Sequence, residues 1–488
     1  MAPSFMRKTR SGCSFLEILA ADNPEDIAVL QLDFAVDMDS LARQAVDDAD
    51  SPEGEELLLP SLASESVSSS PTVSEDGSRP LKAPEPATST TTPLKRAQTS
   101  FPESPTKRVC ISLDPEPLRP QSARNRRRAQ RRVAKKEKNG HPRGSGRAFQ
   151  QFVLNAEPIK TELDSEGLPI AEGGWVATNC SYYGAKVKRE LEKMKALGFT
   201  HIPWKGRTPI CAVDSQNRLV LVAAGGPNDP TYWDDAAKMS ELMLKMGAET
   251  KWEPAEKHCR RGDFPSVAYG WSYGKGQPMP QRLGGKHQEM MADFISQPCV
   301  QRIASYQSAS FSLWFPKAYG EFHQRNIQLK EKIPSFHGNI KGSVYSCCTA
   351  NCGPNTWTHI HRDTMNSPGP CCAITSGGPY DPEKGGQLIV WDLKLIFDFP
   401  PGSTILLPSA LFRHSNIPVQ KGDKRVSFTQ YTAGGIHRWL EYGGRTEECF
   451  ELEDPEGYRR MLKERPERWR KVLDQFSTIE ELKAGNIS

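Results

Sequence analysis

His361, Asp363, His414, Arg425 and Ser427 are the residues whose types and order along this chain could carry out chemistry. Two imidazoles and one carboxylate are the ligands of the facial triad that holds non-haem Fe(II) with positions left open for oxygen chemistry. Side chains two apart in a strand share a face, so His361 and Asp363 can converge on one ion while Arg362 points away. A dicarboxylate cosubstrate at such a metal needs its far end anchored. An arginine grips a carboxylate through paired, charge-assisted hydrogen bonds that an ammonium cannot copy. Arg425 is the candidate, and Ser427, two residues on, can add a hydroxyl from the same face. A lone His-x-Asp is more often a structural polar pair, and His359, on the same face as His361, reads as a lining residue. The ordered set is what favours chemistry.

Several elements are needed to position these residues. Gly385-Gly386 opens the run Leu388-Ile389-Val390-Trp391, a glycine turn feeding a strand, and Pro401-Gly402-Ser403 leads into a second buried strand over 404–407. His414 lies in the short segment beyond, near a strand end. Pro418 and Gly422 turn the chain before a final strand in which Arg425, Ser427, Thr429 and Tyr431 alternate with Val426, Phe428, Gln430 and Thr432. Upstream, the pattern predicts helices over 185–197 (stopped by Gly198), 232–245, 288–302 and 318–332, and a hairpin of 210–213 and 219–223 about a 214–217 turn. Residues 343–350 read as a strand leading into the His-x-Asp segment. Beyond Trp439 the chain reads as helical and charged (458–465, then 466–476), a surface appendage. No internal repeat is apparent.

In this order, His361-x-Asp363, His414 and Arg425-x-Ser427 resemble the Fe(II)/2-oxoglutarate dioxygenases. The wording of Gly385-Gly386-x-Leu388-x-x-Trp391-Asp392-Leu393, Pro400-Pro401-Gly402-Ser403-Thr404-Ile405, Arg413-His414-Ser415-Asn416 and Ser427-Phe428-Thr429-Gln430-Tyr431-Thr432-Ala433-Gly434-Gly435 is similar to a large basidiomycete fungal group. That group is classed with the TET/JBP oxygenases, which oxidise the methyl group of 5-methylcytosine or thymine in DNA. The likeness extends to Pro203-Trp204-x-Gly206-Arg207-Thr208 and Arg260-Arg261-Gly262-Asp263-Phe264, over roughly residues 148–442. It implies an α+β fold: a double-stranded β-helix (jelly-roll) barrel braced by flanking helices. It also implies Fe(II) on His361, Asp363 and His414, 2-oxoglutarate held by Arg425 and Ser427, and dioxygen as co-reactant. The expected reaction is oxidative decarboxylation to succinate and carbon dioxide, coupled to oxidation of a nearby C–H bond. Asn366 stands where the fungal group also carries asparagine, either touching substrate or cosubstrate or serving a turn. Arg362 departs from the aliphatic residue expected in its slot. The zinc-bearing cysteine-rich region of animal TET enzymes is not matched.

Composition sets the frame for this reading. The chain has 488 residues, formal charge +4 and 37% hydrophobic residues, with a mean hydropathy of −0.58, too long for one compact core. Residues 1–80 hold 16 Asp/Glu against 5 Lys/Arg. Residues 51–122, rich in Ser, Pro and Thr, bury too little apolar surface to offset ordering entropy and read as disordered. The 15–46 stretch, where acidic and aliphatic residues mix, reads as a helix that is either transient or docked on a partner. Residues 124–138 carry nine Lys/Arg against Glu137, a pattern of nuclear import, of phosphate contact or of a solvated linker. Thr92-Pro93 and Ser104-Pro105 look like proline-directed kinase sites. No secretory leader is expected, because Glu17 breaks the first apolar stretch, and no run approaches the 18 or so apolar residues of a membrane span. The 12 cysteines lack paired C-x-x-C spacing and read as reduced.

The expected organisation is a largely disordered 1–147, a mixed α/β part over 148–340, the iron- and cosubstrate-bearing β-helix over 341–442 and a helical appendage over 443–488. The expected function is nuclear oxidation of methylated pyrimidine in DNA, with an import receptor as a further partner. The alternatives are the same chemistry on RNA, protein or a small molecule, or a catalytically silent nuclear binding module. The sequence leaves the oligomeric state open.

Overall fold

The strands are buried along almost their whole length, because one face packs on the facing sheet and the other under helices, and they build two stacked sheets. The computed structural model describes residues 146–178, 187–274, 276–370 and 372–485. The expected acidic, disordered and basic N-terminal stretches, the 15–46 helix, the two kinase motifs, Cys371 and the start of the 185–197 helix lie outside these residues.

The strands are β1 (Ile159–Lys160), β2 (Thr200–Ile202), β3 (Ile210–Val213), β4 (Leu219–Gly225), β5 (Ser266–Ser272), β6 (Gln281–Arg282), β7 (Cys347–Asn351), β8 (Cys372–Gly377), β9 (Leu388–Val390), β10 (Leu395–Phe397), β11 (Thr404–Leu407), β12 (His414–Asn416) and β13 (Val426–Tyr431). A nine-stranded sheet runs β1-β3-β4-β11-β8-β13-β7-β5-β6, and a four-stranded sheet runs β12-β9-β10-β2. Pairing is antiparallel except β1 with β3 and β2 with β10. The period of two decides which side chains face which layer. On β11, Ile405 and Leu407 face the smaller sheet, packing with Leu388, Val390, Leu395 and Phe397, whereas Leu406 joins the opposite cluster beneath the helices.

The helices are α1 (Leu191–Ala196), α2 (Pro230–Glu249), α3 (Gln288–Ser296), α4 (Pro298–Trp314), α5 (Pro316–Lys332), α6 (Gly434–Glu441), α7 (Glu447–Glu453), α8 (Pro455–Leu473) and α9 (Ile479–Ala484). Met239 and Met243 of α2, Phe294 of α3 and Val300, Ile303 and Ala304 of α4 cover β7 and β13. Phe311 and Trp314 of α4, with Phe322 of α5, continue that layer. A polar seam fixes α4 on the sheet. Gln307 donates to Thr375 Oγ1 at 2.8 Å and to the Phe428 carbonyl, and Gln430 donates to Gln307 Oε1 at 2.8 Å. Met194 of α1 packs with Ile389, Ile396 and Ile417 on the outer face of the smaller sheet.

The molecule is thus mixed α+β, and several expectations change. The 185–197 helix is one and a half turns, from Leu191 to Ala196, with Gly198 in the left-handed region at φ +82°. The expected 288–302 helix is two, broken at Gln297, because the residue before Pro298 is driven to extended backbone (ψ 133°). The 343–350 strand begins only at Cys347. No break occurs at Pro466, which lies inside α8. A boundary at 340/341 would divide the large sheet, since β5 pairs with β7 and β4 with β11. Nor is 443–488 an appendage: Val472, Phe476, Ile479 and Leu482 are buried in the two main clusters, and the Leu219 N–H donates to the Ser477 carbonyl.

Candidate metal centre

The chain after β7 leaves the large sheet and is stitched into place by bonds to distant segments. The Arg425 N–H donates to the Pro354 carbonyl and the Thr356 N–H to the Arg425 carbonyl. Thr358 Oγ1 donates to Asn416 Oδ1 at 2.8 Å. His361 and His414 exchange both backbone hydrogen bonds, at 3.1 and 3.0 Å. The Asp363 N–H donates to the Ser409 carbonyl at 2.9 Å. His361 therefore occupies a single bridge rather than the expected strand, and Asp363 follows in irregular backbone. His414 begins β12, in the smaller sheet, while Arg425 immediately precedes β13, in the larger.

These cross-links bring His361, Asp363 and His414 together, with one potential ligand atom from each inside 4.8 Å of the others. His361 Nε2 lies 4.0 Å from Asp363 Oδ1, and His414 Nε2 lies 3.9 Å from Asp363 Oδ2. Each imidazole has Nδ1 against a backbone carbonyl two residues earlier: His361 on His359 O at 2.8 Å, His414 on Phe412 O at 2.9 Å. A carbonyl only accepts, so Nδ1 carries the proton and the Nε2 lone pair faces the centre, the arrangement that orients metal-bound histidines. Burial, and next the His414 imidazole, push the His361 pKa well below the usual histidine value. Burial lowers that of His414 against the pull of Asp363. Burial works against ionisation of Asp363, but Arg261, the two imidazoles and Arg260 together hold its carboxyl well below the usual carboxylate range. Two neutral imidazoles and one carboxylate fit a divalent metal ion.

The expected anchor is also buried. Arg425 is 2% exposed, its Nη1 donates to Thr356 O and Oγ1 at 2.8 and 3.0 Å, and its Nε has no hydrogen-bond partner. Among the described residues no carboxylate lies within ion-pair reach of it. Buried guanidinium groups are ordinarily paired, so this one is suited to an anion from outside the chain. Ser427 Oγ accepts from Asn351 Nδ2 at 2.9 Å, which leaves its own O–H to donate. Asn366 lies in the turn after Asp363, where its N–H donates to the Asp363 carbonyl and its Nδ2 to Ser409 Oγ at 3.0 Å. Arg362 turns from the triad toward Asp392, 3.6 Å away, where Arg413 is also bound. His359 contributes its carbonyl to His361 and its ring to an edge contact with Trp357.

Five residues at the site were given no role from sequence: Arg260, Arg261, Ser266, Asn351 and Tyr380. Arg261 donates to Asp363 Oδ1 at 3.3 Å, with Arg260 Nη2 3.8 Å from the same oxygen. The Arg260-Arg261 pair was visible only as a shared motif. Asn351 and Ser266 stand at strand positions with nothing local to mark them. The Tyr380 hydroxyl meets Ser376 Oγ at 2.6 Å, and the ring lies against Gly386, where a Cβ would come within 2.7 Å of Tyr380 Cε2 and 3.3 Å of Arg425 Cδ. Gly386 (φ +77°) thus leaves room for both.

No protein-family model matches the chain, and no curated protein does. Among solved structures the chain is similar to NgTET1 in complex with 5mC DNA, at 11% identity and a TM-score of 0.32, over 50% of this chain and 89% of that one. It is also similar to an oxidoreductase of the 2OG-Fe(II) oxygenase family from Burkholderia pseudomallei, at 16% identity and a TM-score of 0.22, over 38% and 74% of the respective chains.

Proposed function

We propose that this protein is an Fe(II)- and 2-oxoglutarate-dependent dioxygenase, its stacked sheets forming a double-stranded β-helix. The observation that carries the reading is the buried His361–Asp363–His414 triad, both Nε2 lone pairs facing inward, in a chain that also buries Arg425 with no carboxylate partner among the described residues. In this reading the triad holds the ion and Arg425 grips the far carboxylate of 2-oxoglutarate, with the Ser427 hydroxyl beside it. Asn366 serves by closing the turn that follows Asp363. Bound iron, with 2-oxoglutarate and dioxygen, supplies the chemistry: one oxygen atom goes to succinate as carbon dioxide leaves, and the other to a substrate C–H bond.

The chain's own residues set the conditions for that chemistry. Arg261 and Arg260 keep Asp363 ionised and hence anionic as a ligand. His361 and His414 are 4–5% exposed in their side chains and Asp363 is 12%, while Arg260 and Arg261 are about a quarter exposed. Substrate therefore approaches over the Asp363–Arg260–Arg261 side, and the two sheets close the rest from water.

For the substrate we favour the methyl group of 5-methylcytosine, or of thymine, in DNA within the nucleus. The support is the TET/JBP-like wording of the 385–393, 400–405 and 427–435 segments and the basic 124–138 run, which suits import and phosphate contact. A flipped base would bring its methyl carbon to the centre. With Fe(II) and ascorbate, the purified protein is expected to convert 2-oxoglutarate to succinate, and His361→Ala or Asp363→Ala to abolish the conversion. Equal turnover in all three proteins overturns the enzyme reading. Nucleoside mass spectrometry after incubation with 5-methylcytosine DNA tests the substrate. Succinate without hydroxymethyl, formyl or carboxyl products would move the search to RNA, protein or small molecules.

A further inference from the structure

Ser266, Asn351, Ser427 and Ser376 lie directly opposite one another on β5, β7, β13 and β8. They form a polar row across a sheet whose neighbouring positions are apolar, such as Val267, Ala350 and Phe428. Three of these residues extend a chain of hydrogen bonds with one direction. Arg261 donates through Nη1 to Asp363 and through Nη2 to Ser266 Oγ at 3.3 Å. Ser266 then donates to Asn351 Oδ1 at 2.9 Å, and Asn351 Nδ2 to Ser427 Oγ at 2.9 Å. The amide orientation sets the order. The Asn351 amide turns its Oδ1 to Ser266 and its Nδ2 to Ser427, so the Ser266 hydroxyl donates to Asn351 while accepting from the Arg261 guanidinium, which only donates. Each link polarises the next, as in any hydrogen-bond chain at low dielectric.

From this row we infer that Arg261, Ser266 and Asn351 are positioning residues that tie the metal carboxylate to the cosubstrate anchor. The inference rests on the proposed metal and 2-oxoglutarate sites and adds a coupling between them. At one end the row fixes which way Asp363 turns its oxygens. At the other it occupies a Ser427 lone pair and aims the Ser427 O–H outward. The hydrogen bonds of the Ser266 side chain go to Arg261 and Asn351, so through them a change there reaches both sites by way of the row.

The test is direct binding by the full chain, without turnover. Mn(II) is titrated calorimetrically in the absence of oxygen, and 2-oxoglutarate is then titrated into the Mn(II)-loaded protein. Ser266→Ala frees Arg261, the hydrogen-bond partner of Asp363, and is expected to weaken Mn(II) binding about 10-fold, the low end for a disturbed partner of a metal ligand, and to weaken 2-oxoglutarate binding as well. Ser266→Thr, which keeps the hydroxyl, is expected to bind both within about twofold of the wild type, a rescue that a packing defect would not show. Asn351→Ala breaks the next link and is expected to lower both affinities, and it serves in place of Ser266→Ala should that variant fail to fold. The inference is overturned if Ser266→Ala binds both ligands as the wild type does, if only one affinity changes, or if threonine is no better than alanine. A wild-type chain that binds no Mn(II) overturns the metal-centre reading itself, and is told apart from the other failures by that first titration.

Discussion

Replacing Arg425 by Met separates a structural guanidinium from one that waits for an anion. Arg425 donates twice from Nη1 to Thr356 and carries a buried charge that no carboxylate among the described residues pairs with. Burial draws its pKa below the usual guanidinium value, which the nearby Tyr380 hydroxyl partly opposes. Losing two bonds from a charged donor costs about 1.5–3 kcal/mol each. Relief of an uncompensated buried ion returns several kcal/mol. The two effects nearly cancel, so the ligand-free Arg425→Met protein is expected within about 2 kcal/mol of the wild type in urea unfolding. Cosubstrate binding is not buffered in this way. A two-pronged grip on a carboxylate is worth about 3–6 kcal/mol at the same 1.5–3 kcal/mol per bond, so 2-oxoglutarate affinity should fall by roughly 10² to 10⁴. Arg425→Lys keeps the charge and loses the fork, and is expected to recover only part of the loss. Anaerobic calorimetry on the Mn(II)-loaded protein reads the affinity. If Arg425→Met stays folded and binds 2-oxoglutarate with wild-type affinity, the anchor lies elsewhere, and if it loses far more than about 2 kcal/mol of stability, the guanidinium is a packing element.

Two further outcomes test the fold that carries the site. His437, on α6, is buried against Phe322 with ring centroids 4.8 Å apart, and burial, then Arg325, holds its pKa well below the usual value. A histidine depressed in the folded state takes up its proton more readily when unfolded. The stability it contributes is therefore full above the ordinary pKa of about 6.5 and is lost as pH falls from there toward the folded value. His437→Phe should flatten the acid side of the stability–pH curve, and an unchanged slope below pH 6.5 would refute this. Gly247 of α2 lies where a Cβ would come 1.9 Å from the Cys352 carbonyl oxygen. Gly247→Ala should therefore push α2 off the end of β7 and cost about 2–3 kcal/mol in urea unfolding; a neutral result would mean the helix moves freely there.

What was legible in the sequence follows from which forces are local. The strands at 388–390 and 404–407 announced themselves through glycine and proline turns before apolar runs, and the structure has both. The break at Gln297-Pro298 was equally local, since proline constrains its predecessor, and it should have been read. The burial of Ile479 and Leu482 was written in their three-residue spacing on α9, whereas Val472 lies at the end of α8 and Phe476 in the turn between the two helices, where no period marks them. Order and spacing singled out His361, Asp363 and His414 as a set, and the fold brings them together. The backbone that presents two of them was not legible. The segment from Pro354 to Asp363 has no period, because Arg425, Asn416, His414 and Ser409, some 45 to 70 positions on, hold it in place. The same holds for Arg261 and Asn351, whose partners are fixed by register between strands far apart in sequence.

The division of the site between two sheets bears on why its supports are polar. His414 rides on β12 of the smaller sheet and Ser427 on β13 of the larger, and the apolar layer between the sheets is non-directional, so it sets their spacing without setting the angle of a side chain. Angle comes from hydrogen bonds, and several of those near the site join the irregular segment to the sheets on either side of it. Thr358 to Asn416 and His361 to His414 lock the irregular segment to the smaller sheet, and Arg425 to Thr356 locks it to the larger. Arg261 then reaches from the end of a third segment to both Asp363 and the Ser266 end of the polar row. Removing one such bond leaves a partner unsatisfied in a poorly solvated place, a penalty that hydrophobic repacking cannot recover. A centre that has to hold three donors and a separate carboxylate grip in fixed relation gains from that intolerance.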